Sequence, residues 1–278
     1  ADSSPMIAVT GQVPVAMIGK DAFQESDIIG MANPAVKYAF QPRSPDEIPM
    51  VVRKGFYIAE TGRPGPVLID IPKDVQQKEA SMIFPDEFKI RGYHPWTNPD
   101  IANVERAIEM LLGAERPIIL AGGGTIISSA FAELQSIAEL LMIPVVTTFK
   151  GKGAFPENHP LSLGPIGMHG HAEANKMMTE ADCVLAIGTR FSDRSVGTFE
   201  AFEKRLKIIH MDVDPAEIGK NQTTSVAVVG DVRASLRIMV KMLMQKAIKR
   251  TEENTWIKHV KETKEYWKEN LKLHPGEM

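Results

Sequence analysis

One cysteine in 278 residues, Cys183, leaves no partner for an intrachain disulfide. That usage fits a reducing compartment, and the expected location is the cytoplasm. No apolar run approaches the ~20 residues that a membrane-spanning helix needs, and no charged-then-apolar leader opens the chain. Basic runs are also missing, and the net charge is -3. Nucleic acid binding needs concentrated Lys and Arg, so it is excluded as a function class. A few local basic groups can still hold a small anionic ligand. What is present is ordinary for a globular protein, with 44% apolar and 24% charged residues. The length suffices for one large domain or two smaller ones.

The ends are unusual. The chain opens ADSSPMIAVTG without a starting Met and stops at KLHPGEM after a charged, helix-like run. Both ends are expected to be cuts through a larger protein. Between them, PMIAVT (5–10) reads as a buried strand. Ser44-Pro45-Asp46-Glu47 reads as a capping box opening a helix to about Glu60, closed at Gly62. PVLIDIP (66–72) is a second strand, so residues 1–74 form one α/β portion. Residues 75–100 mix polarity and proline without a period and read as a linker. Residues 101–250 alternate helices with the strands PIILA (117–121), IPVVTTF (143–149), CVLAIGT (183–189), KIIHMDVD (207–214) and SVAVVGD (225–231). That alternation predicts a doubly wound parallel sheet. Residues 251–278 begin with a polar helix over about 251–272, expected to lead into a further domain.

In an open α/β sheet, ligands bind outside the carboxyl ends of the strands. Those ends carry Gly122-Gly123-Gly124, then Thr148-Phe149-Lys150, then Gly188-Thr189-Arg190 with Arg194 just beyond. Asp212 and Asp214 follow the fourth strand, and Gly230-Asp231 the fifth. Glycines admit backbone amides to a phosphate, arginines grip it bidentately, and carboxylates accept from sugar-type hydroxyls. Taken together they suit a long, anionic, hydroxylated ligand along the sheet edge. Each piece has a plainer reading. A triple glycine also makes a tight turn, and Ile127 breaks the dinucleotide fingerprint. Lys150, where NAD binding wants an acid, argues against that cofactor. Asp212 and Asp214 could cap helices, and Arg190 and Arg194 could be surface residues. Met168-His169 lies in a Gly-rich loop that suits either a turn or a ligand. His159, His169 and His171 lack metal-binding spacing, so no metal site is expected. No Gly-x-Ser-x-Gly elbow occurs, and Cys183 reads as core.

Longer motifs carry a resemblance. Gly11-Gln12-Val13-Pro14 precedes Ile18-Gly19-Lys20-Asp21-Ala22-Phe23-Gln24-Glu25. Thr61-Gly62-Arg63-Pro64-Gly65-Pro66-Val67 and Asp70-Ile71-Pro72-Lys73-Asp74 follow, then Gly167-Met168-His169-Gly170 and Arg190-Phe191-Ser192-Asp193-Arg194. Over about residues 3–250 the chain resembles the catalytic subunit of acetohydroxyacid (acetolactate) synthase, a thiamine-diphosphate enzyme. The resemblance implies the second half of a pyrimidine-binding domain, a complete FAD-binding middle domain, and a short lead toward a diphosphate-binding domain. It implies FAD contacts at Arg63, Gly122, Gly123, Gly124, Thr148 and Phe149. Further FAD contacts are implied at His169, Gly188, Arg190, Arg194, Asp212 and Asp231. Phe23, Gln24, Lys73, Met168 and Arg194 would face the active-site channel, with Arg194 on the second substrate's carboxylate. Ser192 departs from the family, where many members carry Asp.

The implied reaction joins two pyruvates, or pyruvate and 2-oxobutyrate, with loss of CO2, for branched-chain amino acid biosynthesis. The implied assembly is a homodimer or tetramer with a regulatory subunit. The family's activating glutamate and its Gly-Asp-Gly metal motif, which holds Mg2+ and the diphosphate, do not occur in these residues. The chain alone is therefore expected to be inactive. Glyoxylate carboligase and pyruvate oxidase are alternative relatives, and a non-catalytic flavin-binding module is an alternative of another class.

Overall fold

A computed structural model describes residues 2–81, 83–84, 87–95, 98–196, 206–250 and 254–270. The chain forms two compact units, Ala1–Pro95 and Trp96–Met278.

The first unit holds a three-stranded parallel sheet in the order β1-β3-β2, with β1 Met6–Gln12, β2 Tyr38–Phe40 and β3 Pro66–Pro72. Helix α1 is Ile28–Ala32 and α2 is Ile48–Glu60. The capping reading holds in part. Ser44 accepts from the Asp46 amide, and Pro45–Glu47 form a 3-10 turn that feeds α2. Glu47, however, reaches back to the Arg43 amide (3.1 Å) instead of the cap residue's own. Gly62, at φ +61°, follows the helix end. Lys73–Gln77 form α3, where a linker was expected to begin. Strand β2 is missed in the sequence because three residues show no period.

The second unit is a six-stranded parallel sheet in the order β6-β5-β4-β7-β8-β9. Its strands are β4 Pro117–Ala121, β5 Val145–Thr147, β6 Ser162–Pro165, β7 Cys183–Ile187, β8 Lys207–Asp212 and β9 Val226–Val229. The helices are α4 Ile101–Leu112, α5 Gly123–Ile127, α6 Phe131–Leu141, α7 Ala172–Glu180, α8 Asp193–Val196, α9 Val232–Gln245 and α10 Thr255–Asn270. Adjacent residues of a strand face opposite sides. Ile119, Leu185 and Ile209 therefore pack with Val104, Leu134 and Leu236 of α4, α6 and α9. Ile118, Leu120 and Val184 pack on the other face with Met177 of α7 and Trp256 and Val260 of α10. Burial of each such side chain contributes about 1.5–3 kcal/mol.

Two differences from the sequence reading have physical causes. Strand β6 lay inside what read as a loop, because Gly164 (φ +82°) and Pro165 look like turn residues. It is an edge strand, where a proline costs no ladder bond on its open side. Its pairing shifts register between Val145 and Val146. Helix α10, read as polar, buries Trp256, Ile257, Val260 and Thr263 along one stripe. It is pinned by Trp256 Nε1 donating to Pro117 O (2.9 Å) and Lys264 Nζ donating to Ser162 O (2.7 Å). No helix among the described residues is long and apolar enough to cross a membrane.

Candidate functional site

The strand order reverses between β4 and β7. Connections from β4 lead outward through β5 to β6, and those from β7 lead through β8 to β9. A crevice outside the carboxyl ends is expected at such a switch point. The chain crosses itself at close range there. The Gly122 amide donates to Ile187 O (2.8 Å) and the Gly124 amide to Gly188 O (3.0 Å). A Cβ on Gly122 would lie 2.7 Å from Thr189 Cβ, and one on Gly124 would lie 2.7 Å from Gly188 Cα. Gly188 itself sits at φ +54°. Packing alone thus accounts for Gly122, Gly124 and Gly188. Gly123 is less crowded, with Lys150 Cβ 3.2 Å from a built Cβ. The expected turn at 122–124 is the start of the short helix α5.

The other strand ends lie on the same edge. After β5, Thr148 Oγ1 accepts from the Gly151 amide (3.1 Å), and Phe149 is 83% exposed. After β6, Asn175 holds Gly167 by both its amide and its carbonyl (2.9 and 3.0 Å). Met168 beyond it is exposed, as is His169. The Met168 amide donates to Arg194 O (3.4 Å), tying the β6 loop to the segment after β7. The Arg194 side chain is exposed, with Nε 3.8 Å from Asp193 Oδ2. The Arg190 carbonyl accepts from Asn221 Nδ2 (2.8 Å). At the end of β8, buried Asp212 accepts from the Asp214 amide (2.9 Å), and Asp214 accepts from Ala216 (3.0 Å). Asp231 caps α9 through the Ala234 amide (2.8 Å).

All three acids make local backbone bonds, but Asp212 and Asp214 brace turns and do not cap helices as they could have done, and Asp231 alone of the three caps one. A carboxylate engaged this way is held in a fixed orientation. Cys183 is fully buried and its thiol is pushed up to about 12 by desolvation, which suits a core residue and not a nucleophile.

The sequence reading passed over His210. Its Nε2 lies 2.9 Å from Thr189 O, which can only accept, so Nε2 carries the proton. Nδ1 is buried with no partner among the described residues. Burial pushes the imidazole below its usual range, against the Thr189 bond and the charge of Glu217, so the ring is held neutral. Phe191 (φ +47°) stacks edge-on against it at 5.2 Å. The available signal was a single polar residue at an inward position of KIIHMD. Asn175 gave no comparable signal, because its partner Gly167 meets it only in the fold.

In the first unit, Phe23, Gln24 and Lys73 lie at the carboxyl edge of the sheet, after β1 and β3. Phe23 is 90% exposed and Gln24 sits at φ +64°. Arg63 precedes β3 and so lies at the opposite edge of that sheet, where its Nε donates to Ser3 Oγ (3.0 Å).

The parallel sheet, with glycine turns, two arginines and backbone-bonded carboxylates after its strands, makes the second unit an open, doubly wound α/β domain. Residues 104–239 match the family described as thiamine pyrophosphate enzyme, central domain. The chain is 49% identical over 267 residues to a probable acetolactate synthase large subunit of Methanocaldococcus jannaschii, covering 95% of this chain and 45% of that protein. It is 48% identical to the Methanococcus aeolicus protein of the same description, covering 98% of this chain and 45% of that one. It is 40% identical to the acetolactate synthase large subunit of Corynebacterium glutamicum, covering 100% of this chain and 44% of that protein. The chain belongs to the acetolactate synthase large-subunit family of thiamine pyrophosphate enzymes. Glyoxylate carboligase and pyruvate oxidase are not favoured by these relatives. The chain spans less than half the length of each of the three.

Proposed function

We propose that this sequence serves an acetolactate-forming enzyme that condenses two 2-oxoacids with loss of CO2. The observation that carries the reading is 40–49% identity, over nearly the whole chain, to acetolactate synthase large subunits. Residues 1–74 would be part of the pyrimidine-binding domain and residues 101–250 the FAD-binding domain. Residues 75–100 would link them, and residues 251–278 would lead into a diphosphate-binding domain. Thiamine diphosphate, when bound, supplies the carbanion chemistry.

FAD fits the carboxyl edge of the six-stranded sheet. Gly122, Gly124 and Gly188 let the turns after β4 and β7 cross closely, and a pyrophosphate would lie beside that crossing. Arg190 would grip that pyrophosphate, and Asp212 and Asp231, oriented by their backbone bonds, would accept from hydroxyls. Exposed Phe149 would supply an aromatic face, and Gly123, Thr148 and His169 would be further contacts. Arg63 would be a further FAD contact. Arg194 would hold the second 2-oxoacid's carboxylate in its planar fork. The Met168 amide's bond to the Arg194 carbonyl ties together the two segments that carry these side chains. Phe23, Gln24 and Lys73 would face the active-site channel. Magnesium, a homodimer or tetramer, a regulatory subunit and a cytoplasmic location complete the reading.

Titration of the chain with FAD tests the site. Binding is expected, weakened about tenfold or more by Gly123→Val and by Arg190→Ala, since a charge-assisted bond contributes roughly 1.5–3 kcal/mol. Unchanged affinity in both variants would refute the strand-edge site. The chain assayed alone with thiamine diphosphate and Mg2+ should form no acetolactate. In an active enzyme carrying this sequence, Arg194→Lys should impair joining of the second 2-oxoacid more than release of CO2 from the first. Equal losses would show that its role is wrong.

A further inference from the structure

The segment between β1 and α1 holds a non-regular loop in a strained shape. Between residues 19 and 24, Gly19 (φ +76°), Asp21 (φ +53°) and Gln24 (φ +64°) all occupy left-handed backbone. Two of these are not glycine, and such conformers persist only where the surroundings over-determine them. Here the surroundings are one carboxylate. Glu25 Oε1 accepts from the Gly19 amide, while Oε2 accepts from the amides of Ala22 (2.9 Å) and Lys20 (3.3 Å). The Glu25 amide donates back to Ala22 O (2.9 Å), closing a turn with Phe23 and Gln24 at its centre. Successive amides converging in this way form an anion-binding nest, and the chain fills it with its own side chain.

The ends of the loop are tied to the sheet. Gln12 Nε2 donates to Ser26 O (2.8 Å) and to Asp70 Oδ2 (3.2 Å). Asp70 is fully buried on β3 and also accepts from Thr10 (2.8 Å) and Gln41 (2.9 Å). Asp74 accepts from the Val15 amide (2.9 Å). Phe23 stands at the tip of this braced turn, almost wholly in solvent. A strained turn, held on three sides and presenting an exposed aromatic, is built to display that ring.

We propose that Glu25 is the positioning residue of the Phe23–Gln24 turn, its carboxylate filling the nest at Gly19, Lys20 and Ala22 so that both side chains stand in one orientation before substrate arrives. The inference rests on the reading that Phe23 and Gln24 face the reacting 2-oxoacids. Glu25 itself touches no substrate. Glutamine keeps one acceptor oxygen but turns an NH2 group toward amide donors, and alanine removes the brace. The carboxylate is held below its usual range, chiefly by the Gly19 amide and then by Ala22, so it stays ionised near neutrality.

Two measurements separate the brace from its role. In the chain, amide exchange at Gly19, Lys20 and Ala22, together with tryptic cleavage after Lys20, reads the brace. Glu25→Ala should speed both about tenfold or more while the β3 amides keep their protection, and Glu25→Gln should fall between. Unchanged exchange at those amides would overturn the brace. In an active enzyme carrying this sequence, Glu25→Ala should lower kcat about tenfold to a hundredfold, as a misplaced group does. The unfolding midpoint should stay close to that of the parent, and Glu25→Gln should restore part of the rate. An opened turn with unchanged kcat would overturn the positioning role. Phe23→Ala is the reference. If Phe23→Ala leaves kcat unchanged, the site reading and the role built on it both fall, and the exchange data still report whether the brace exists.

Discussion

Every residue of β4 and β7 is buried, whereas β1 leaves Met6 55% and Val9 63% exposed. The six-stranded sheet is covered by helices on both faces. The three-stranded sheet has a small core around Ile58, Ala59 and Val67. The two units also hold their site segments differently. In the second unit the turns after β4 and β7 are fixed by backbone crossing, glycine against glycine, while Asn175, Asp212 and Asp231 brace other strand ends. In the first, side chains of Gln12, Glu25, Asp70 and Asp74 tie a loop that has little apolar packing of its own. Where a sheet is doubly covered, burial and close backbone crossing share the positioning with polar side chains; where it is not, polar side chains carry it.

The sharpest way to break this contrast is to truncate matched apolar strand residues. Ile119→Ala should cost about 2–5 kcal/mol, since it opens a cavity between β4 and the α4–α6–α9 layer. Val9→Ala should cost under about 0.5 kcal/mol, because that side chain is largely in water. Denaturant unfolding of the chain, with amide exchange read separately in each unit, checks both. Equal losses would mean that Val9 is covered in solution.

A second contrast uses glycines of like backbone and unlike surroundings. Gly188→Ala combines a left-handed φ with a Cβ 2.9 Å from Gly124 C, so roughly 1–3 kcal/mol or more should be lost. Gly19→Ala has a similar φ but nothing within 4 Å of its Cβ. It should cost about 1 kcal/mol, the backbone penalty alone. Thermal unfolding that ranks Gly19→Ala as the worse would refute the idea that crossing, and not φ, dominates at Gly188.

The smallest effect concerns pH. The folded pKa of His210 is depressed, so below the unfolded value near 6.5 the unfolded chain takes up a proton that the folded chain refuses. Stability of the second unit should therefore fall as pH drops below that value, down to the folded pKa, at no more than about 1.4 kcal/mol per pH unit. His210→Asn should flatten that part of the profile in the second unit and leave the first unit's profile as it was. An unaltered slope would show that another group carries it.

Much of this was legible beforehand because burial on both faces leaves a plain mark. PIILA, CVLAI and KIIHMD are apolar runs between helical periods, and they predict a parallel sheet with its ligand edge at their carboxyl ends. The Gly, Arg and Asp residues of that edge follow from the same logic. Strand β6 stayed hidden because an edge position tolerates the glycine and proline that otherwise signal a turn. The buried stripe of α10 was masked by its charged majority.

Composition and local pattern by themselves determined the α/β class, the doubly wound sheet and the edge on which a ligand would lie, because strand burial and helical periodicity are written in neighbouring residues. Only the tertiary structure decided that Gly122, Gly124 and Gly188 answer first to one another, that His210 holds Thr189, and that Asn175 holds Gly167. It also decided that Asp70 gathers Thr10, Gln12 and Gln41. These contacts join residues 8 to 66 positions apart, and a hydrogen bond or a backbone crossing at that separation leaves no local period in the chain to read.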